Sequence, residues 1–98
     1  MTGDAVIVAP DFYKVVLENN RVRVLEVRAR PGDKTEMQAH PDQVAIAIAD
    51  SRFRFTPPDG QAMEVELKAG QAVYVGAVVH TAEALGDSGA HVLLIELK

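Results

Sequence analysis

Glu36, Gln38 and His40 stand on alternate positions of one polar segment, Lys34 to His40, and His80 answers them from much later in the chain. Side chains two apart on a strand leave the same face. This spacing would therefore aim a carboxylate, an amide and an imidazole in one direction. A second imidazole, arriving on another strand after an apolar run, would meet them. Polar groups converging inside a small β-barrel build a site for a metal ion or a small ligand. Gln43, just past the turn Pro41-Asp42, and Tyr74, on a later strand, are further candidates to line such a pocket. Ser51 and Ser88 fall in turns, so no nucleophile–base–acid arrangement appears. Paired carboxylates and a glycine-rich phosphate loop are equally missing from the sequence pattern.

The elements that must position these groups read as strands. Phe12 to Glu18 is β-branched and aromatic, and Asn19-Asn20 turns the chain. Arg21 to Arg30 is a long strand whose apolar phase slips midway, from Val22 and Val24 to Leu25, Val27 and Ala29, which predicts a bulge or a bend. Pro31-Gly32-Asp33 ends it, and Lys34 to His40 forms the strand with the polar inner face. Val44 to Ala49 is apolar throughout, as in a strand covered on both sides, and its alanines at 45, 47 and 49 suit tight packing or a neighbouring subunit. Ser51 to Thr56 points Phe53 and Phe55 inward and Arg52 and Arg54 outward. After the turn Pro57-Pro58-Asp59-Gly60, Gln61 to Lys68 sets Met63, Val65 and Leu67 on one face. Ala72 to Val75, His80 to Leu85 and His91 to Leu97 complete the series, the last with Leu93, Ile95 and Leu97 in register. His91, beside a turn, is expected at the surface. No long segment carries a helical stripe, so the pattern predicts an all-β domain.

The chain has 98 residues, enough for one domain spanning 1–98 with a modest core. Its hydrophobic fraction of 48% excludes a disordered chain. The formal net charge of −4 argues against nucleic acid as a partner, because phosphate binding needs clustered Lys and Arg. The arginines at 21, 23, 28, 30, 52 and 54 alternate with apolar residues and read as solvated outer faces of strands. With no cysteine there is no disulfide frame, thiolate metal site or thiol nucleophile. The first nine residues carry an acid where a signal peptide needs basic groups, and their apolar run is short. A cytoplasmic protein without a membrane partner is the expectation.

In this order and spacing the parts resemble the small single-domain cupins, from about Tyr13 to Lys98. The first cupin motif runs Gly, five residues, His-x-His, then a Glu; here Gly32 leads to Gln38-Ala39-His40. The second runs from a Gly through a strand and a bend to a His; here Gly70 leads through Val73-Tyr74-Val75 and Gly76-Ala77-Val78-Val79 to His80. The hairpin Thr56 to Gly70 and the ending Gly86 to Lys98 fit as well. The resemblance implies a cupin-type jelly-roll β-barrel of about nine short strands with a site at its open end. It also implies a divalent metal (Fe, Mn, Ni, Zn or Cu), a small-molecule substrate and a homodimer paired through sheet edges, with the Ala-rich strand at 45 to 49 a candidate neighbour of that contact.

The chain departs from the family pattern at Gln38, which replaces the first motif histidine, and at the motif glutamate, whose place falls on Val44 with Gln43 one residue early. The metal ligands carried over are His40 and His80, with Gln38, in place of the first motif histidine, as the candidate third. Glu36, Gln43 and Tyr74 are the ligand-binding candidates, and Glu36 would supply the missing negative charge. One expectation is a metal-dependent barrel with dioxygenase-, isomerase- or lyase-type chemistry. The other is a metal-free, non-catalytic binding or structural barrel with a neutral Gln/His pocket.

Overall fold

Residues 3–98 are described in the computed structural model. A four-residue helix, α1 (Ala5–Val8), precedes nine strands: β1 (Tyr13–Glu18), β2 (Val22–Ala29), β3 (Gln38–His40), β4 (Gln43–Ala47), β5 (Ser51–Thr56), β6 (Met63–Leu67), β7 (Ala72–Val75), β8 (Val78–Ala84) and β9 (Ala90–Leu97). Asp4 starts α1 by accepting the Val6 N–H at 3.0 Å, as capping carboxylates do.

Two sheets face each other, one of five strands in the order β1-β2-β9-β4-β7, the other of four in the order β3-β8-β5-β6. The last strand therefore sits at the centre of the larger sheet, antiparallel to both β2 and β4. The core lies between the sheets and includes Leu25, Val27, Ala45, Ala47, Phe53, Leu67, Val92 and Leu94. Inward positions of the central strands alternate with outward ones, which is the period-2 pattern visible in the sequence.

Three local expectations are corrected. The phase slip in β2 is not a bulge, because its register with β9 runs unbroken from Val22↔Leu97 to Ala29↔Ala90. Val22 and Val24 are instead outward apolar residues, and the register shift lies on β1, between Val15 and Leu17. The apolar strand expected over 44 to 49 ends at Ala47, so Ala49 is exposed, while Ala45 and Ala47 are buried inside the barrel in keeping with tight packing. On β9 the inward set is Ala90, Val92, Leu94 and Glu96; Leu93, Ile95 and Leu97 form its outer face.

Candidate ligand cavity

A cavity of about 300 Å³ opens between the sheets. Its walls are mostly apolar, with Phe53, Phe55, Val65, Val73 and Leu94 among them, and its polar groups are Tyr13, His40, Gln43, Gln61 and His80. The volume is at the small end for a ligand site.

β3 and β8 bring the two histidines together. Their register pairs Gln38 with His80 and His40 with Val78, so both rings lean into the same interior. The ring centroids of His40 and His80 are 5.8 Å apart. On one side His80 stacks on Phe55 at 4.4 Å, which in turn stacks on Phe53 at 5.3 Å. On the other side His40 lies 5.4 Å from Tyr13. Burial, and then the field of His40, push the His80 pKa down from its ordinary 6.5 to about 4, so its ring is neutral at pH 7. Burial also raises the Tyr13 hydroxyl to about 12, with the Glu96 charge adding to the shift and the Gln38 hydrogen bond opposing it.

Behind His40 lies a carboxylate that the sequence reading passed over. Glu96 is 2% exposed, and its Oε2 takes the His40 Nδ1–H at 2.9 Å. Its Oε1 meets Arg23 at 2.8 Å from Nε and 2.6 Å from Nη2. Arg23 in turn donates to Asp4 at 2.8 Å. A carboxylate on Nδ1 fixes the ring's orientation and leaves Nε2 as its remaining polar atom. The signal for Glu96 was parity. It shares a face with Leu94 and Val92, so a charge stood on the buried side of an apolar strand. Arg23 was misread with the other arginines as a solvated outer residue, although its phase matches Leu25 and Val27.

The remaining sequence candidates separate. Gln43 is 4% exposed and lines the cavity, and its Oε1 has no hydrogen-bond partner. Because β4 alternates, position 43 faces inward with Ala45 and Ala47, whereas Val44 pairs with Tyr74 on the outside. Gln38 is fully buried, but its Nε2 donates to the Tyr13 hydroxyl and to Thr35 Oγ1 at 3.2 Å, and it does not line the cavity. Glu36 is exposed and lies outside the cavity wall. The strand begins only at Gln38, so the alternation that would have turned Glu36 inward does not reach it. Tyr74 is 62% exposed and faces the solvent side of β7. His91, expected at the surface, is partly covered and meets Glu26 at 2.6 Å.

This donor set does not fit a divalent metal centre. Two imidazoles and the neutral Gln43 oxygen bring no negative charge, and hard or borderline cations need carboxylate or more imidazole. Glu96, the buried carboxylate, has both oxygens engaged by Arg23 and His40. Among the described residues no three His, Cys, Asp or Glu gather into a possible metal cluster. A wider depression of about 610 Å³ near Asp11, Arg30 and Asp50 is open and of mixed polarity, with no unpartnered buried group aimed into it.

Sequence comparison with family models and with curated proteins found no match. Solved structures do match. A cupin domain from Bordetella pertussis Tohama I is 26% identical, covering 89% of this chain and 92% of that one, with a TM-score of 0.80. A conserved Klebsiella pneumoniae protein with a double-stranded β-helix domain is 23% identical over 87% of this chain and 75% of that one, with a TM-score of 0.63. Oxalate decarboxylase from Bacillus subtilis, an enzyme with Mn(II) centres, is 22% identical over 80% of this chain but 21% of its own length, with a TM-score of 0.59. The chain has the cupin jelly-roll fold. Among the described residues no helix is long and apolar enough to cross a membrane.

Proposed function

We propose that this barrel binds a small, uncharged, mainly apolar organic molecule carrying a hydrogen-bond donor, and that it does so without a metal ion. The observation that carries this reading is Gln43 Oε1, a buried acceptor without a partner in an otherwise apolar cavity. Leaving such a group unpaired costs about 1–3 kcal/mol, so a ligand O–H or N–H placed there would gain that much more than in water. The apolar walls favour a hydrophobic body, with Phe53 and Phe55 offering a flat aromatic surface.

Net charge on the ligand finds no counterpart. Arg23 is spent on Glu96 and Asp4, and Glu96 on Arg23 and His40. His80 is neutral at pH 7. A phenol, an alcohol or a primary amide with a compact apolar body meets these demands; a carboxylate or an ammonium does not. His40 Nε2 and the His80 ring would then orient the polar end.

Calorimetric titration with neutral phenols and with matched benzoates and benzylamines tests the reading. Binding of the neutral series alone is expected, and Gln43→Leu should weaken it about 3- to 10-fold, the worth of one neutral hydrogen bond. Preference for a charged series, or a Gln43→Leu variant that binds equally well, overturns the ligand class. Elemental analysis of untagged protein addresses the metal separately: stoichiometric Fe, Mn, Ni, Zn or Cu that disappears in both His40→Ala and His80→Ala would overturn the metal-free reading.

A further inference from the structure

We propose that the molecule held in this barrel ends in a primary carboxamide, whose two N–H bonds meet Gln43 Oε1 and His40 Nε2 and whose carbonyl oxygen accepts the N–H of His80. This inference rests on the neutral-ligand reading above and chooses within it. A phenol, an alcohol and a primary amide are all neutral, but they present different sets of donors and acceptors.

The polar wall of the cavity divides into acceptors and donors. Gln43 Oε1 is buried, lacks a partner and can only accept. His40 gives its Nδ1–H to Glu96 Oε2 at 2.9 Å, and a carboxylate held by Arg23 cannot return a hydrogen. The hydrogen of the neutral His40 ring is thereby placed on Nδ1, and Nε2 keeps a lone pair. His80 differs. No group among the described residues hydrogen-bonds its ring, which is held by stacking on Phe55 at 4.4 Å. A neutral imidazole without a partner still carries one N–H. The wall therefore offers two acceptors and one free donor.

These groups are neighbours. Gln43 stands directly opposite Glu96 across the β4–β9 ladder, and such pairs lie about 5 Å apart at Cβ. His40 leans on the same Glu96 side chain, so Gln43 and His40 flank it. The His80 ring follows, its centroid 5.8 Å from that of His40. A nitrogen with two hydrogens, beside an oxygen on the next carbon, complements this set. An alcohol or a phenol has one hydrogen to give and leaves an acceptor bare; a ketone leaves both. Selection comes from that mismatch, because a buried group left unpaired loses more than a formed bond gains. The rest of the ligand faces apolar walls, and a cavity of about 300 Å³ limits it to a compact body.

Calorimetric titration of the full chain with benzamide, acetophenone and phenol tests this. Acetophenone replaces the NH2 of benzamide by a methyl of nearly equal size, and phenol keeps one donor without a carbonyl. Benzamide is expected to bind about tenfold or more tighter than either. Gln43→Leu should take about 3- to 10-fold from benzamide and leave acetophenone, which has no hydrogen to give there, at its wild-type affinity. His80→Phe, which keeps a flat ring on Phe55, should weaken benzamide and acetophenone by the same factor. If either variant fails to fold, the comparison of benzamide with acetophenone on wild type decides alone. Acetophenone or phenol binding as tightly as benzamide, or acetophenone losing as much as benzamide in Gln43→Leu, overturns the carboxamide and leaves the neutral-ligand reading in place. Failure of every neutral compound to bind overturns both.

Discussion

At the residue scale, the neutrality of His80 has a measurable consequence. Its pKa falls from 6.5 to about 4 on folding, chiefly through burial and then through the field of His40. Between these values the unfolded chain binds more protons than the native one, so stability rises with pH there. The contribution of His80 is complete above about pH 6.5 and is lost as pH falls towards 4. Asp4, held down first by its Arg23 hydrogen bond, Glu18, held down by Lys98, and Glu64, held down by Arg54, lose their contributions only below the ordinary carboxylate values. Thermal unfolding should therefore drop by roughly 4 °C or more between pH 7 and pH 4.5. His80→Phe, which keeps a flat ring against Phe55, should flatten that slope. An unchanged slope in the variant would place the titrating group elsewhere. The meeting of His40 with His80 was legible because a motif fixed both positions. Glu36 was not, since its inward aim assumed a strand that starts two residues later.

At the scale of elements, clean alternation made most strands legible. Ser51–Thr56 and Ala72–Val75 match the sequence reading end for end, and turn residues marked nearly every boundary. The misreadings occur where both faces of a strand are apolar. On β2 and β9 hydrophobicity alone does not say which parity faces the core, because the outer face is apolar too. Turn chemistry also carries uneven weight. Gly60 has a φ of 83° but open space around it, whereas Gly89, at 74°, brings a would-be Cβ to 2.2 Å from the Ala29 carbonyl oxygen. Both pay for a left-handed backbone on substitution; only Gly89 adds a backbone clash between the β8–β9 turn and the end of β2. Gly60→Ala should cost about 1 kcal/mol and Gly89→Ala clearly more, at least about 2–3 kcal/mol. Chemical denaturation of the two variants gives the comparison, and equal losses would mean that the turn at 89 relaxes freely.

At the scale of the whole molecule, the cavity wall is tied to the N-terminal segment by one chain of charges that runs from the buried Glu96 and His40 out to the partly exposed Asp4. Asp4 before α1, Arg23 on β2, Glu96 on β9 and His40 on β3 are linked by contacts of 2.6 to 2.9 Å. Gly3 reinforces the tie by accepting the Ala39 N–H at 2.9 Å, and Asp4 bridges Ala39. No strand neighbour in sequence could have revealed this, because the linked residues lie up to 73 positions apart. The surface pairs Arg54–Glu64 and Lys68–Asp50 are exposed and contribute little. The buried end of the chain behaves differently. Removing Arg23 as Arg23→Met would strand the Glu96 carboxylate beside His40, and breaking a buried pair on one side costs about 3–5 kcal/mol. Glu96→Gln in the same protein removes the stranded charge, so the double variant should recover part of that loss. A double-mutant cycle by urea unfolding measures the coupling. Additive losses, with no recovery in the double variant, would show that Arg23 and Glu96 are not energetically coupled.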